Sequence, residues 1–178
     1  MNKYFLNMRE MSYCALFLSL ITAGAYIAFP IGPVPIVLQN FFILLCSLLL
    51  PPKIVFITVL SYILCGISGL PVFSGGKSGI AHIIGPTGGF LLAYIPASLS
   101  ASIVNRIFHD KGIMAAVLSS IIFTVIVYGG GIFRMNQLFG LEKALYLGVL
   151  PFIIPDLIKA VFAVIIAGKI SGFIKINA

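Results

Sequence analysis

The chain has 178 residues, of which 61% are hydrophobic and 8% are charged, and its mean hydropathy is +1.19. Because a soluble domain carries roughly 25% charged residues, this composition excludes a soluble globular protein and predicts an integral membrane protein. The net charge of +7 does not indicate nucleic-acid binding, since the cations lie at the ends of apolar runs, where they orient a chain in the bilayer.

Six apolar runs predict an all-α protein, a single membrane domain over residues 1–178 with six transmembrane helices. The first run is about 28 Å long as a helix at 1.5 Å per residue, which is enough to span a bilayer. We expect the fifth helix to stop at the glycines from Gly129 to Gly131, and the regular part of the sixth to begin at Pro155. The predicted spans are residues 11–29, 36–50, 54–69, 86–104, 113–129 and 149–171.

Small residues recur at every fourth position of the first predicted helix. Ala15, Ser19 and Ala23 form one stripe, which another helix can approach closely. That neighbour is either another helix of this chain or another subunit, and the sequence leaves both open.

Two amide side chains, Gln39 and Asn40, fall in the first turns of the second predicted helix. Amides at such a position cap the helix, bridge to a neighbouring helix or face a binding cavity. Their position alone does not choose among these roles.

Glycine is concentrated in residues 72–89, between the third and fourth predicted helices. Gly76 and Lys77 match the end of a phosphate-binding loop, but the position where that motif needs its first glycine is Pro71. We therefore do not predict nucleotide binding. Irregular backbone beside a membrane is tolerated where it is buried in protein or lines a polar cavity, so this segment is either part of a ligand site or a flexible external loop. We expect His82, which lacks nearby partner ligands in the sequence, to be structural.

Asp156 and Lys159 place opposite charges in an apolar segment. A charged side chain at the bilayer centre costs roughly 2.5–3.5 kcal/mol, and intramembrane charges usually face the protein interior and have a function there. A spacing of three residues puts both side chains on one face of a helix, close enough to form an ion pair or to hold one polar ligand together. The alternative is a structural salt bridge that fixes helix packing. Asp156 also falls in the first turn of its helix, where free N–H groups and the helix dipole favour an anion.

The distribution of cations predicts the orientation of the six spans. Both termini lie on one side of the membrane, and that side carries more cations than the other. The positive-inside rule then places the termini in the cytoplasm and the glycine-rich segment and Asp156 outside. The two candidate ligand elements, 72–89 and 155–160, therefore converge on one pocket that opens to the outside. The cations on the side of the termini are Lys3, Arg9, Lys53, Arg106, Lys111, Lys169 and Lys175, and those on the opposite side are Lys77, Arg134 and Lys143.

Four segments, 34–39, 69–73, 85–94 and 155–159, resemble the BioY family, the biotin-binding S-components of energy-coupling factor (ECF) transporters. The resemblance covers nearly the whole chain. It implies a six-helix S-component bundle in the bacterial cell membrane, with a glycine-rich extracellular loop between helices 3 and 4, that captures biotin outside and delivers it inward. The implied partners are a transmembrane coupling subunit, which the stripe of small residues on the first helix would contact, and two ATP-binding subunits, which would hydrolyse ATP. This chain would not be an enzyme, and no cofactor is implied.

The chemistry of biotin suits the candidate residues that the resemblance implies. Biotin has a ureido ring with two N–H donors and a carbonyl acceptor, an apolar thioether ring and a flexible acid tail. Asp156 would accept from the ureido N–H groups, and Lys159 would donate to the carbonyl or to the carboxylate. Lys77, if it folds over the pocket, would be the better placed counter-ion for the acid tail. The other expected ligand contacts, by hydrogen bonds or close backbone approach, are Gln39, Thr87, Tyr94, Gly85, Gly88 and Gly89.

Other functions stay open at this point. The same kind of subunit could bind another vitamin, or the protein could be a membrane scaffold in which the Asp156–Lys159 pair is purely structural. An enzyme is the weakest alternative, because the sequence shows no paired carboxylates, no intramembrane Ser/His or His/His constellation and no metal-ligand cluster.

Overall fold

The computed structural model describes residues 6–30 and 32–173. The chain is mostly helical there, which confirms the predicted fold class at that level. Two of the cations used to predict the orientation, Lys3 and Lys175, lie outside the described residues.

The helices and strands follow one another along the chain with short connections. Three short 3₁₀ turns, at Ser74–Gly76, His109–Lys111 and Ser171–Phe173, lie between or after them. The elements are α1 (Met8–Tyr26), β1 (Ala28–Phe29), β2 (Ile36–Val37), α2 (Gln39–Leu49), α3 (Pro52–Ile67), α4 (Ile80–Ile84), α5 (Gly88–Ile107), α6 (Ile113–Phe139), α7 (Leu141–Gly148) and α8 (Ile153–Ile170).

The start and the end of α1 have clear local causes. At its start, the Asn7 side chain accepts a hydrogen bond from the Glu10 N–H and the Glu10 carboxylate accepts one from the Asn7 N–H, both at 2.8 Å. This capping box satisfies two N–H groups that the helix leaves unpaired. The helix ends at Tyr26, before the predicted end at residue 29, because β1 pairs antiparallel with β2.

Two of the described helices, α5 and α6, are long and apolar enough to cross a membrane by length and composition. A third span is possible if α7 and α8, which are bent by 50° at their break, cross as one unit. The helices α2 and α3 are apolar but shorter.

The prediction that the fifth helix stops at Gly129 to Gly131 is wrong, because α6 continues without a break to Phe139. These glycines lie where α6 packs against α5. A Cβ atom on Gly130 would lie 2.5 Å from the Ala93 Cβ and 2.8 Å from a backbone oxygen of α5, and a Cβ on Gly131 would collide with the Phe90 ring. Glycine therefore permits close helix contact here, and the α5–α6 packing outweighs its low helix propensity.

The entry to the last helix also differs from the prediction. Residues 141–148, which lie between the fifth and sixth predicted spans, form α7. The helix α8 begins at Ile153 rather than at Pro155. Proline is tolerated at this position because the first N–H groups of a helix have no intrahelical partner.

We call one end of the bundle the cavity end, because the cavity described below lies there. The helices α1, α3 and α6 end at it, and α2, α5 and α8 start at it. The Tyr26 hydroxyl, at the end of α1, donates to the Pro71 carbonyl beyond α3 at 2.7 Å. At the start of α2, Asn40 bonds to Asp156 at the start of α8. The helix α2 packs against α1, α5 and α8, and this central position brings its first turn to the middle of the cavity end.

Candidate ligand-binding site

One cavity at the cavity end is formed by segments from five parts of the chain. Its volume is about 50 Å³, well below the roughly 300–1,000 Å³ of typical ligand pockets, so the cavity is narrow in this structure. The lining residues are Val34, Pro35, Val37, Gln39, Asn40, Ser74, His82, Thr87, Phe90, Leu91, Tyr94, Val127, Tyr128, Phe152, Asp156 and Lys159.

The Asp156 carboxylate is the hub of a polar network in this cavity. Its Oδ1 accepts from Asn40 Nδ2 at 2.8 Å and from Lys159 Nζ at 2.9 Å, and its Oδ2 accepts from the Tyr128 hydroxyl at 3.0 Å. The first turn of α8 holds the carboxylate in place, because the Asp156 N–H donates to the Phe152 carbonyl at 2.8 Å. Oδ2 keeps room for one more donor, since a carboxylate offers about four acceptor sites.

The Lys159 ammonium completes the predicted ion pair, and the i, i+3 spacing on which that prediction rested is confirmed. Lys159 Nζ also donates to the Val37 carbonyl at 2.7 Å and to Asn40 Oδ1 at 3.1 Å. The side chains of Lys159 and Asp156 are only 12% and 10% exposed. A lysine ammonium has three donors, so these three bonds use all of them.

Gln39 lies at the first position of α2 and is 1% exposed. Its side chain lines the cavity, yet its Nε2 atom is buried without a hydrogen-bond partner. Since buried polar groups in proteins are almost always paired, this amide is an unusual feature of the cavity.

The apolar wall of the cavity is built from aromatic rings of α5 and the start of α8. Phe90 lies 6.4 Å from Phe152 between ring centroids, and the buried Tyr94 stacks on Phe123 at 6.3 Å. The predicted ligand residue Tyr94 therefore does line the cavity. A wall of this kind suits an apolar ring, while the few polar groups would fix its orientation.

The segment between α3 and α5 covers one side of the cavity. His82 stacks on Phe73 at 5.4 Å, and its Nε2 lies 3.2 Å from the hydroxyl of Thr87, another predicted ligand residue. Burial lowers the pKa of His82 below its ordinary value, and the nearby charge of Lys77 lowers it further. The imidazole is therefore neutral at pH 7.

Four predicted ligand residues are not among the lining residues of this cavity. The Lys77 side chain is exposed, while the Lys77 carbonyl accepts a backbone hydrogen bond from the Phe73 N–H at 2.9 Å. Gly88 and Gly89 lie where added Cβ atoms would collide with the backbone of residues 83 and 130, respectively. Gly85 ends α4, and its N–H donates to the Ala81 carbonyl at 3.0 Å. Gly88 and Gly89 thus permit close packing of protein against protein.

Asn40, His82 and Tyr128 line the cavity but are not among the predicted ligand residues. The sequence leaves several roles open for the Asn40 amide and predicts a structural role for His82. A tyrosine inside an apolar helix requires a partner for its hydroxyl, and this requirement was the available signal for Tyr128.

The stripe of small residues on α1 lies on the outer surface of the bundle. Ala15, Ser19 and Ala23 are exposed, whereas Phe17 and Ile21 of the same helix are buried. The stripe therefore does not pack against another described helix of this chain.

Apolar helices that enclose a cavity with a few convergent polar groups define a membrane protein that binds a small molecule inside its helical bundle. Comparison with known proteins gives the family. The model of the BioY family matches residues 1–175, and the chain belongs to this family, as its sequence segments predicted.

Known relatives share most of their length with this chain. It is 43% identical over 164 residues to the Probable biotin transporter BioY of Pyrococcus horikoshii, a match that covers 92% of this chain and 97% of that protein. It is 38% identical over 162 residues to the Biotin transporter BioY of Thermotoga maritima, covering 90% of this chain and 94% of the relative. Its fold is similar to the crystal structure at 2.1 Å of the S-component for biotin from an ECF-type ABC transporter, with a TM-score of 0.85 and 27% identity, over 92% of this chain and 90% of that one.

Proposed function

We propose that this protein is the biotin-binding S-component of an ATP-driven ECF importer, a subunit that captures biotin and delivers it across the membrane. Membership of the BioY family and the similarity to an S-component for biotin support this function. In such an assembly ATP hydrolysis would fall to partner subunits, so this chain would be a transport subunit rather than an enzyme.

The observation that carries the proposal is the largely buried Asp156 carboxylate, 10% exposed, with an unused acceptor site on Oδ2, next to an apolar aromatic wall. A ureido N–H would bond to that oxygen through a charge-assisted hydrogen bond, which is stronger than a neutral one. The apolar thioether ring would pack on the aromatic side chains around Phe90. Because the cavity is narrow, we expect biotin binding to displace side chains of the covering segment 72–87.

The proposed membrane arrangement has six spans, with the cavity end outside and both termini in the cytoplasm. Of the described cations away from the network, five lie at the opposite end of the bundle and three at the cavity end, which agrees with the positive-inside rule. The five are Arg9, Lys53, Arg106, Lys111 and Lys169, and the three are Lys77, Arg134 and Lys143.

The orientation is tested by labelling single cysteines in a variant from which the natural cysteines have been removed. Lys77→Cys should react with a membrane-impermeant maleimide added to intact cells, and Lys111→Cys should react only after the cells are opened. The reverse pattern would place the cavity inside and contradict capture from the outside.

The ligand is tested by isothermal titration calorimetry on protein purified in detergent from biotin-free cells. The chain contains no Trp, so the usual intrinsic fluorescence signal is missing and calorimetry is used to measure binding. We expect saturable binding of biotin, weaker binding of desthiobiotin, and no binding of thiamine or riboflavin. A folded sample that bound thiamine or riboflavin instead would have a different vitamin as its ligand, and one that bound none of the four would lose the proposed function.

A further inference from the structure

We propose that a groove between α5 and α6 binds an anionic phospholipid from the membrane leaflet at the cavity end. The lipid phosphate would bond to Arg134, and one acyl chain would lie along the groove. This groove is separate from the ligand cavity, because the two share no lining residue. The inference goes beyond the proposed function, since it concerns the surface of the protein that faces the membrane.

The groove lies where the two helices that are long and apolar enough to cross a membrane touch closely. Small residues allow this approach: a Cβ atom on Gly89 would lie 2.5 Å from the Arg134 Cβ, and one on Gly130 would lie 2.5 Å from the Ala93 Cβ. Larger apolar side chains beside these small residues are exposed. The groove between them has a volume of about 670 Å³, which falls within the range of roughly 300–1,000 Å³ typical of ligand sites.

The groove is long enough for an acyl chain. Its lining residues on α6 extend from Ile126 to Arg134, which is about 12 Å at 1.5 Å per residue. One leaflet of the hydrocarbon core is roughly 15 Å thick, half of the whole core. Arg134 lies near the end of α6 at Phe139, which is the cavity end. The groove therefore runs from the headgroup region, at Arg134, into the acyl region, at Ile126.

Arg134 has the only polar side chain among the described residues that line the groove. Its Nη1 donates to Gln137 Oε1 at 3.1 Å and its Nη2 donates to the Ile84 carbonyl, and these bonds hold the guanidinium in place. The Nε atom is buried without a hydrogen-bond partner. Within the described part of the chain, Arg134 also has no ion-pair partner. A guanidinium offers five N–H donors in a planar fork that matches the oxygens of a phosphate.

The occupant has to combine a negative headgroup with an apolar tail. Basic pockets between transmembrane helices bind anionic lipid headgroups, and the exposed side chains of Ile84, Leu92 and Phe133 supply apolar surface for a tail. Free phosphate would satisfy Arg134 but would leave this apolar surface without contacts. In phosphatidylcholine, the choline cation offsets the charge of the phosphate. An anionic phospholipid therefore complements both parts of the groove.

The experiment measures lipid binding to the delipidated full-length protein by native mass spectrometry. The probes are phosphatidylglycerol and phosphatidylcholine with the same acyl chains, each with and without inorganic phosphate as a competitor. Arg134→Gln removes the charge, Arg134→Lys keeps the charge without the planar fork, and Phe133→Ala removes part of the apolar wall. The controls are Arg106→Gln, at an exposed position near the other end of α5, and Phe162→Ala, at an exposed position of α8. Thermal unfolding shows which variants are folded.

We expect wild type to bind phosphatidylglycerol about tenfold more tightly than phosphatidylcholine, the effect of one charge-assisted hydrogen bond. Arg134→Gln should bind the two lipids equally, and Arg134→Lys should keep part of the preference. Phe133→Ala should weaken the binding of both lipids by the same factor, because it changes only the contact with the acyl chain. Inorganic phosphate should not displace either lipid, and both controls should behave as wild type.

Equal affinity of wild type for the two lipids would overturn the inference, and so would an unchanged preference in Arg134→Gln. If Arg134→Gln does not fold because the bond to the Ile84 carbonyl is lost, Arg134→Lys and Phe133→Ala decide the matter, and wild-type affinities in both would overturn the inference. Displacement of phosphatidylglycerol by inorganic phosphate would show a site for a free anion instead of a lipid. None of these outcomes affects the proposed function, which is tested by biotin binding.

Discussion

Asp156 and Lys159 are tied together by more than their mutual attraction, because Asn40 bonds to both of them and Tyr128 bonds to the carboxylate. Removing one member of a buried ion pair usually costs more than the pair contributes, since the remaining charge loses its partner. The network holds α2, α6 and α8 together at the cavity end, and we propose for it a second role, to keep a charged acceptor ready for a ligand.

These two roles can be separated by mutation. We expect Asp156→Asn to lower biotin affinity at least a hundredfold or so and to destabilise the fold by up to about 3–5 kcal/mol, the cost of leaving Lys159 without its counter-ion. The double variant Asp156→Asn with Lys159→Met should recover stability without recovering binding. Thermal unfolding and calorimetry measure the two effects, and Asp110→Asn, at an exposed position, is the control. Tight biotin binding by Asp156→Asn would show that the carboxylate does not contact the ligand.

His82, which lines the cavity, makes the stability of the folded protein depend on pH below neutrality. Its folded-state pKa is lowered, first by burial and then by Lys77, so the unfolded chain binds a proton more readily than the folded one. The contribution of neutral His82 to the free energy of unfolding is complete above the unfolded-state pKa of about 6.5. This contribution is lost as the pH falls below that value towards the folded-state pKa. We expect wild type to lose more thermal stability between pH 7.5 and 5 than His82→Gln does. The exposed His109 provides the control His109→Gln, and an identical pH profile for wild type and His82→Gln would contradict the prediction.

Among the helices, α5 and α6 make the most extensive contact of the bundle, and small residues on both helices make it close. Gly130 packs on Ala93, and Gly131 packs on the Phe90 ring. The Phe90 ring also lines the cavity. The α5–α6 contact thus sets the position of an aromatic ring in the ligand site. Gly129, next in sequence, has no atom near the place where its Cβ would be.

Three matched substitutions test this contact. Gly129→Ala should leave stability unchanged or raise it by up to about 1 kcal/mol, because alanine is the better helix former and meets nothing. Gly130→Ala should destabilise, because the added methyl group meets both a side chain and a backbone oxygen of α5. Gly131→Ala should also weaken biotin binding, since it displaces the Phe90 ring. Thermal unfolding in detergent, followed by calorimetry, measures these effects, and equal stability of the three variants would refute the packing argument.

The parts of this architecture that sequence could predict are those set by local spacing. Apolar runs predict where helices lie, and an i, i+3 interval predicts that Asp156 and Lys159 pair. Asn40 reaches the same carboxylate from 116 residues away, and no local pattern contains that contact. The outward position of Lys77 depends on the turns at Gly75 and Gly76, whose φ angles are +67° and +76°, and the path of such a glycine-rich turn is not fixed by composition.

At the scale of the whole molecule, we propose that two distinct surfaces serve the function, the cavity end for the ligand and the outer face of α1 for a partner. The small residues of α1 point away from the bundle, although small residues usually mark close helix contacts. Exposure of such a stripe is explained if a helix of the coupling subunit packs against it. The cavity lies mainly among α2, α5, α6 and α8, so ligand binding and coupling should be separable.

This separation is tested with substitutions that enlarge the stripe. We expect Ala15→Leu, Ser19→Leu and Ala23→Leu to bind biotin as wild type does, while biotin uptake into vesicles containing the complete transporter falls at least about tenfold, because a larger side chain prevents close helix approach. Val125→Leu, at an exposed position of α6, adds bulk away from the stripe and should not affect uptake. Normal uptake by the stripe variants would assign coupling to another surface, and loss of biotin binding would mean that α1 shapes the cavity instead.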